Sequence, residues 1–183
     1  MNAGKSTTLL QAAYNYRERG MTPYLITAKL DNRMGVSKIV SRIGIEEEAS
    51  VFDLTDDLYL RVQSLLKEIT INCILLDEAQ FLSKSQVWQL ARIVDKLNIP
   101  VLCYGLRVDF RGELFPGSLT LLAIADEIKE IKTICHCGRK ATMVVRKTPD
   151  GKILDQGSQI QIGGNETYTS LCRLHWCEEM AKF

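Results

Sequence analysis

Three short stretches in the first half of the chain carry residue types that could work together on phosphate. Asn2-Ala3-Gly4-Lys5-Ser6-Thr7 has the makings of the second half of a phosphate-binding loop. In such a loop a glycine (here Gly4) lets the backbone come close to phosphate, and Lys5 would reach the β- and γ-phosphates. The Ser6 hydroxyl would ligate Mg2+, and the helix that follows would offer its positive end. The competing reading is a terminal segment that spells Gly-Lys-Ser by chance. Asp77-Glu78-Ala79-Gln80 directly follows the apolar run INCILL. A carboxylate at that place, Asp77, can help hold Mg2+, and the next one, Glu78, can accept a proton from an attacking hydroxyl. Taken alone, the pair could equally be a helix cap with solvated charge. Asp31-Asn32-Arg33 follows the run YLITA in the same way. It reads as a surface turn, or as a turn that brings Asp31 towards Mg2+ and the planar guanidinium of Arg33 onto phosphate oxygens.

A fourth group lies in the last quarter of the chain. Cys135-His136-Cys137 and Cys172-Arg173-Leu174-His175 flank a segment with a turn at its centre. Two close pairs brought together by a hairpin can supply four tetrahedral ligands, Cys135, Cys137, Cys172 and His175, as structural zinc requires. Cys-x-Cys is tighter than the usual Cys-x2-Cys, so His136 and Cys177 stand as rival ligands and scattered free thiols as the competing account. A four-ligand site leaves no open position, which assigns it to structure and not to catalysis. Cys73 and Cys103 sit in apolar runs and are expected to be buried thiols.

These residues need elements to position them. Good helix formers over 7–19 end at Gly20, and Tyr24 to Ala28 is a β-rich run. Leu58, Val62, Leu65, Leu66 and Ile69 form a helical stripe within 55–69, and Val87, Leu90, Val94 and Leu97 form another. INCILL and the VLCYGL that follows Pro100 are strands apolar along their whole length. Such strands alternating with amphipathic helices indicate a parallel sheet covered on both faces, with polar residues gathered at its carboxyl edge. The fold class expected is therefore α/β. After Ile134 the texture changes, and 140–147 and 152–162 flank Pro149-Asp150-Gly151 as the arms of a β-hairpin. A boundary near 133/134 is expected, with an α/β domain over 1–133 and a zinc-binding β subdomain over 134–183.

Composition sets the limits. At 183 residues, 46% hydrophobic and 25% charged, the chain suits one ordinary domain or one with a small appendage. A net charge of +1 gives no general electrostatic case for nucleic acid or membrane partners. No apolar run approaches the roughly 18–20 residues of a membrane span, and the start lacks the pattern of a signal peptide. The cytoplasm is the expected location.

In combination and order, MNAGKST, TAKLDNR, LLDEAQF, CYGLRVDFRGELF, the CHC and CRLH pairs and IGGNETY resemble the zinc-containing (type II) thymidine kinases, in their bacterial branch. The likeness implies a P-loop NTPase-like sheet and phosphoryl transfer from ATP to the 5′-hydroxyl of thymidine, with deoxyuridine as a second acceptor, in deoxynucleoside salvage. It implies ATP and Mg2+ at Asn2, Ala3, Gly4, Lys5, Ser6, Thr7, Asp31, Arg33, Asp77 and Gln80, with Glu78 as the base. It implies a thymine pocket of Met1, Phe81, Leu106, Phe110, Phe115 and Tyr168, of which Phe110 and Phe115 read equally well as plain core. A "lasso" loop matching Gln159, Ile160, Gln161, Ile162 and Gly163 is implied to grip the base through backbone groups. A homotetramer inhibited by thymidine triphosphate is implied as well. The family carries about ten residues before the position of Met1, so Met1 is expected to be internal to a longer protein. Otherwise the sheet should have a central gap and the chain should fold poorly as an inactive, ATP-binding relative. The readings from other classes are a zinc-ribbon nucleic-acid-binding protein and a DNA-stimulated ATPase.

Overall fold

The apolar runs form strands, and the striped segments form helices on either side of them. The computed structural model describes residues 3–29, 37–161, 163–164 and 166–182. The chain divides into two compact units: Gly4–Gly105 with Pro116–Ala125, and Leu106–Phe115 with Asp126–Phe183 and Ala3.

In the first unit α1 (Lys5–Glu18) leads to β1 (Pro23–Ala28), and β2 (Lys38–Val40) and β3 (Glu46–Glu48) form a small antiparallel hairpin. Then come β4 (Ser50–Phe52), α2 (Leu58–Leu65), β5 (Cys73–Leu76), α3 (Lys84–Leu97), β6 (Val101–Cys103) and α4 (Pro116–Ile124). Strands β4, β1, β5 and β6 pair in that order, all parallel. Side chains alternate across the sheet. Ile26, Ala28, Ile74 and Leu76 join α2 and α3 in one core through Leu58, Val62, Val87, Leu90 and Ile93. Leu25, Cys73 and Leu75 join α1 on the other face through Leu9, Leu10 and Ala13. This is the two-sided burial that continuous apolar strands require. Asp57 caps α2 by accepting from the Leu60 amide at 2.9 Å, and Ser83 with Gln86 makes a reciprocal capping box on α3.

Several expectations change. The second helix ends at Leu65, so Ile69 lies beyond it and is exposed. The buried stripe of α3 runs through Ile93, with Val94 only half buried. No gap interrupts the described sheet, because β5 pairs β6 directly and Tyr104 N–H donates to the Leu76 carbonyl at 2.8 Å. Cys73 is buried, whereas Cys103, on the edge strand, is half buried. α4 reverses the usual rule by burying Gly117, Ser118 and Thr120 while Leu119 (57% exposed) and Leu122 face outward. No described helix is long and apolar enough to cross a membrane.

The second unit pairs β7 (Thr133–Ile134) with β8 (Lys140–Ala141) and sets β9 (Met143–Lys147) between β10 (Ile153–Leu154) and β11 (Tyr168–Leu171), all antiparallel; α5 (Arg173–Glu179) follows. The turn over Thr148–Lys152 forms where Pro149-Asp150-Gly151 predicts it. The second arm of that hairpin is two residues long, however, and β11 takes the other side of β9. Trp176 fills the small core and donates its indole N–H to the carbonyls of Phe110 (3.0 Å) and Val144 (3.1 Å). Buried Asp109 organises the 106–115 loop by accepting from the amides of Arg111 and Glu113, each at 2.9 Å.

Candidate active site and metal centre

In the first unit the two phosphate motifs meet. Gly4, with φ +81°, turns the chain into α1, and no side chain caps that helix start. As the N-cap residue, Gly4 brings no side-chain acceptor of its own to the first-turn N–H groups, a condition that suits a helix end to an anion. The Ser6 hydroxyl donates to Asp77 Oδ2 at 2.8 Å across 71 residues of sequence. Asp77 directly follows β5, held by its own N–H to the Ile26 carbonyl at 2.9 Å. The residue is only 4% exposed, and burial, then the charge of Glu78, push its pKa up to about 6. The Ser6 hydroxyl, the Glu78 amide and the Lys5 charge pull the other way without prevailing. A buried carboxylate whose compensation falls short, facing a hydroxyl and an ammonium, is suited to a divalent cation carrying phosphate. Thr7 lies half buried in the first turn of α1.

Glu78 occupies the left-handed region, φ 54° and ψ 38°. That conformation costs a non-glycine residue about 1–2 kcal/mol, and the surroundings enforce it. The Glu78 N–H donates to Asp77 Oδ1 at 3.0 Å, the Gln80 side-chain amide donates to the Glu78 carboxylate, and the Ala79 N–H is taken by the Tyr104 carbonyl at 2.9 Å. The chain then makes a single 3-10 turn, Ala79–Phe81, whose last residue is half buried.

Helix α4 packs its glycine against that turn. A Cβ on Gly117 would come within 2.7 Å of both the Ala79 and Leu82 carbonyl oxygens, which are backbone and cannot swing aside. Helix propensity favours Gly117→Ala by about 1 kcal/mol at most, whereas overpacking costs about 1–3 kcal/mol. We expect Gly117→Ala to be less stable than wild type in denaturant melts and slower in turnover, because the displaced backbone carries Glu78 and Gln80. A gain in stability would show that the turn yields freely.

The second unit brings the four candidate metal ligands together: the ligand atoms of Cys135, Cys137, Cys172 and His175 all lie within 4.8 Å of one another. Tetrahedral zinc with sulfur at about 2.3 Å and nitrogen at about 2.0–2.1 Å separates its ligand atoms by about 3.6–3.8 Å. Here Cys135 Sγ and Cys172 Sγ stand 3.3 and 3.5 Å from His175 Nδ1, and Cys137 Sγ stands 3.9 Å from Cys172 Sγ. The set fits zinc. Burial opposes ionisation of Cys135, yet the amides of Cys137 and Cys172 and the His175 side chain outweigh it and bring the thiol down to about 5. His136 stacks on His175, ring centroids 4.2 Å apart, and Cys177 is buried in the small core; neither belongs to the group of four.

The same unit holds the residues predicted from 106 onward. Phe110 and Phe115 are buried and Leu106 is half buried. The Tyr168 hydroxyl donates to the Gln161 carbonyl at 2.7 Å. The Gln159 side-chain amide reaches the Leu114 carbonyl at 3.4 Å, while Ile160 and Gln161 are exposed and Gly163 is half buried. Ala3 is half exposed. Met1, Asn2, Asp31, Arg33 and Ile162 lie outside the described residues. Sequence reasoning missed Arg146, buried in β9 and bonded to the 158–159 backbone. Its one signal is a charge inside the apolar strand MVVRK.

The comparisons with known proteins point to one family. A family model described as thymidine kinase matches residues 1–176. Thymidine kinases from Ruegeria pomeroyi and Jannaschia sp. are each 61% identical over 178 residues, which is 97% of this chain and 90% and 91% of theirs. The thymidine kinase of Photobacterium profundum is 56% identical over 182 residues, spanning 100% of this chain and 95% of its own.

Proposed function

The chain belongs to the thymidine kinase family, and on that premise we propose that it transfers the γ-phosphoryl group of ATP to the 5′-hydroxyl of thymidine, giving dTMP and ADP. The observation that carries the proposal is the 2.8 Å bond from Ser6 to Asp77, which joins the phosphate loop to the acidic strand end, with Glu78 as the next residue. In the step, the 5′-oxygen forms its bond to the γ-phosphorus as the bond to the bridging oxygen of ADP breaks, and Glu78 takes the hydroxyl proton. Ser6 and Asp77 hold the Mg2+ that arrives with ATP, and Lys5 offsets charge gathering on the phosphoryl oxygens. Asn2, Ala3, Gly4, Thr7, Asp31, Arg33 and Gln80 complete the nucleotide site on this reading. Positioning and electrostatics supply most of the acceleration, since phosphoryl transfer needs little covalent help.

Leu106, Phe110, Phe115, Tyr168 and the 159–163 backbone hold the nucleoside, and Cys135, Cys137, Cys172 and His175 hold a zinc that is structural only. Residues 1–133 then carry the phosphate chemistry and 134–183 the zinc and the nucleoside loop. The outward Leu119 and Leu122 of α4 support a homo-oligomer, which we take to be a tetramer. Inhibition by thymidine triphosphate and a cytoplasmic salvage role complete the reading. Incubation with MgATP and each deoxynucleoside in turn tests it. dTMP and ADP should appear in equal amounts, deoxyuridine should also react, and purine nucleosides should not. ATP hydrolysis independent of nucleoside, or no dTMP, would overturn the proposal.

A further inference from the structure

Arg146 is 2% exposed, and none of the ion pairs between described residues includes it. Burying a guanidinium is costly unless its donors are used. Here they serve one loop. Nη1 donates to the Ser158 carbonyl at 2.8 Å, Nη2 to the Gln159 carbonyl at 3.3 Å, and Nε to the Tyr168 hydroxyl at 3.2 Å. Through that hydroxyl the chain of bonds reaches the Gln161 carbonyl at 2.7 Å. The planar face lies on the Phe110 ring, 4.0 Å from its centroid, with the Tyr168 ring at 5.4 Å. Gly157, at φ +133°, lets the loop pass: a Cβ there would stand 3.3 Å from Nη1. Register puts Arg146 opposite Leu154 on one neighbouring strand and Tyr168 on the other, so it spans both ends of the 155–167 segment.

That segment has no helix or strand of its own among its described residues. Its order depends on what collects its carbonyls, and a rigid fork of five donors does so where an ammonium could satisfy fewer. Tying the carbonyls of 158, 159 and 161 fixes their peptide planes and so directs the N–H groups between them. We propose that Arg146 is a positioning residue that presets the 158–161 backbone and the Tyr168 hydroxyl for the nucleoside. The inference rests on the thymidine reading above and adds to it the residue that organises the loop before ligand arrives.

The test uses the full, zinc-loaded chain carrying Arg146→Lys. The substitution keeps the charge and most of the stem and removes the fork. Losing one or two charge-assisted hydrogen bonds should raise the thymidine KM by about tenfold or more. The ATP KM and the zinc content should stay at wild-type values, and amide exchange in the 155–164 peptide should quicken without ligand. A fall in kcat with both KM values unchanged would mark a merely structural role and overturn the proposal. Unchanged loop exchange would overturn it too. Should Arg146→Lys fail to fold, Tyr168→Phe deletes only the bridging oxygen and must quicken the same exchange; if it does not, the proposal falls. A wild-type chain inert toward thymidine would overturn the functional reading and the nucleoside role of Arg146 together. An active wild type matched by the variant would overturn only the latter.

Discussion

Glu78→Gln is expected to lower kcat by about 10²–10⁴-fold, the usual worth of a positioned general base, while thymidine and ATP bind nearly as before. Glutamine keeps the shape of the side chain and can still bond the Gln80 amide, but it cannot take the 5′-hydroxyl proton. It also removes one of the two influences that raise the Asp77 pKa, which leaves Asp77 more readily ionised. Single-turnover kinetics beside nucleoside binding would separate these effects, and a near-normal kcat would remove Glu78 from the role. Glu78→Gly makes a second comparison. It relieves a left-handed conformation worth about 1–2 kcal/mol against about 0.5–1 kcal/mol of added chain entropy. Loss of the acceptor for the buried Gln80 amide offsets that gain, so the variant should melt close to wild type while being inactive. Strain at this residue is then held by the neighbouring bonds of Ala79 and Gln80 for the sake of the site, not of the fold.

Much of the frame is legible in the sequence because burial writes a simple code. CILL is apolar on both faces and becomes a strand buried on both faces, and Asp77 follows it at the carboxyl edge. The capping box and stripe of α3 are local signals that packing does not override. The 38–52 region carries no such code. Its three strands are three residues each, one of them Glu46-Glu47-Glu48, and pairing with neighbours defines them more than any run of their own. α4 hides for a different reason: its small and polar residues face inward against the 3-10 turn, so polarity points the wrong way. Arg146 shows the same limit. A charge in a short strand reads as a solvent-facing position, and only the carbonyls of a loop 12 and 13 residues away explain its burial. The half-buried Cys103 likewise depends on which strand lies at the sheet edge, a property of topology and not of VLCYGL itself.

Loss of the metal centre is expected to have the largest effect on stability, and to act on the fold before the chemistry. Besides the sheet around β9 and the hydrogen bonds of Arg146 and Trp176, the described residues of the second unit have little else to hold them. Strands β7, β8 and β10 are two residues long, and its core is a single cluster around Trp176 in which Cys135 and Cys172 are themselves members. Structural zinc contributes about 10–16 kcal/mol in small zinc-binding peptides, as much as the 5–15 kcal/mol by which whole domains are typically stable. Cys172→Ser keeps the size of the side chain and removes a thiolate, so it isolates ligation from packing. We expect one zinc per wild-type chain and markedly less in the variant, a lowered melting temperature, and rapid proteolysis within 126–183. Because Cys172 directly follows β11, whose first residue Tyr168 holds the Gln161 carbonyl, release of the metal should also loosen the nucleoside loop and raise the thymidine KM. A chelator should reproduce all of these effects in the wild type, and excess zinc should reverse them there but not in Cys172→Ser. Equal melting temperatures and full activity in the variant would mean that the four ligand atoms meet without a metal that matters.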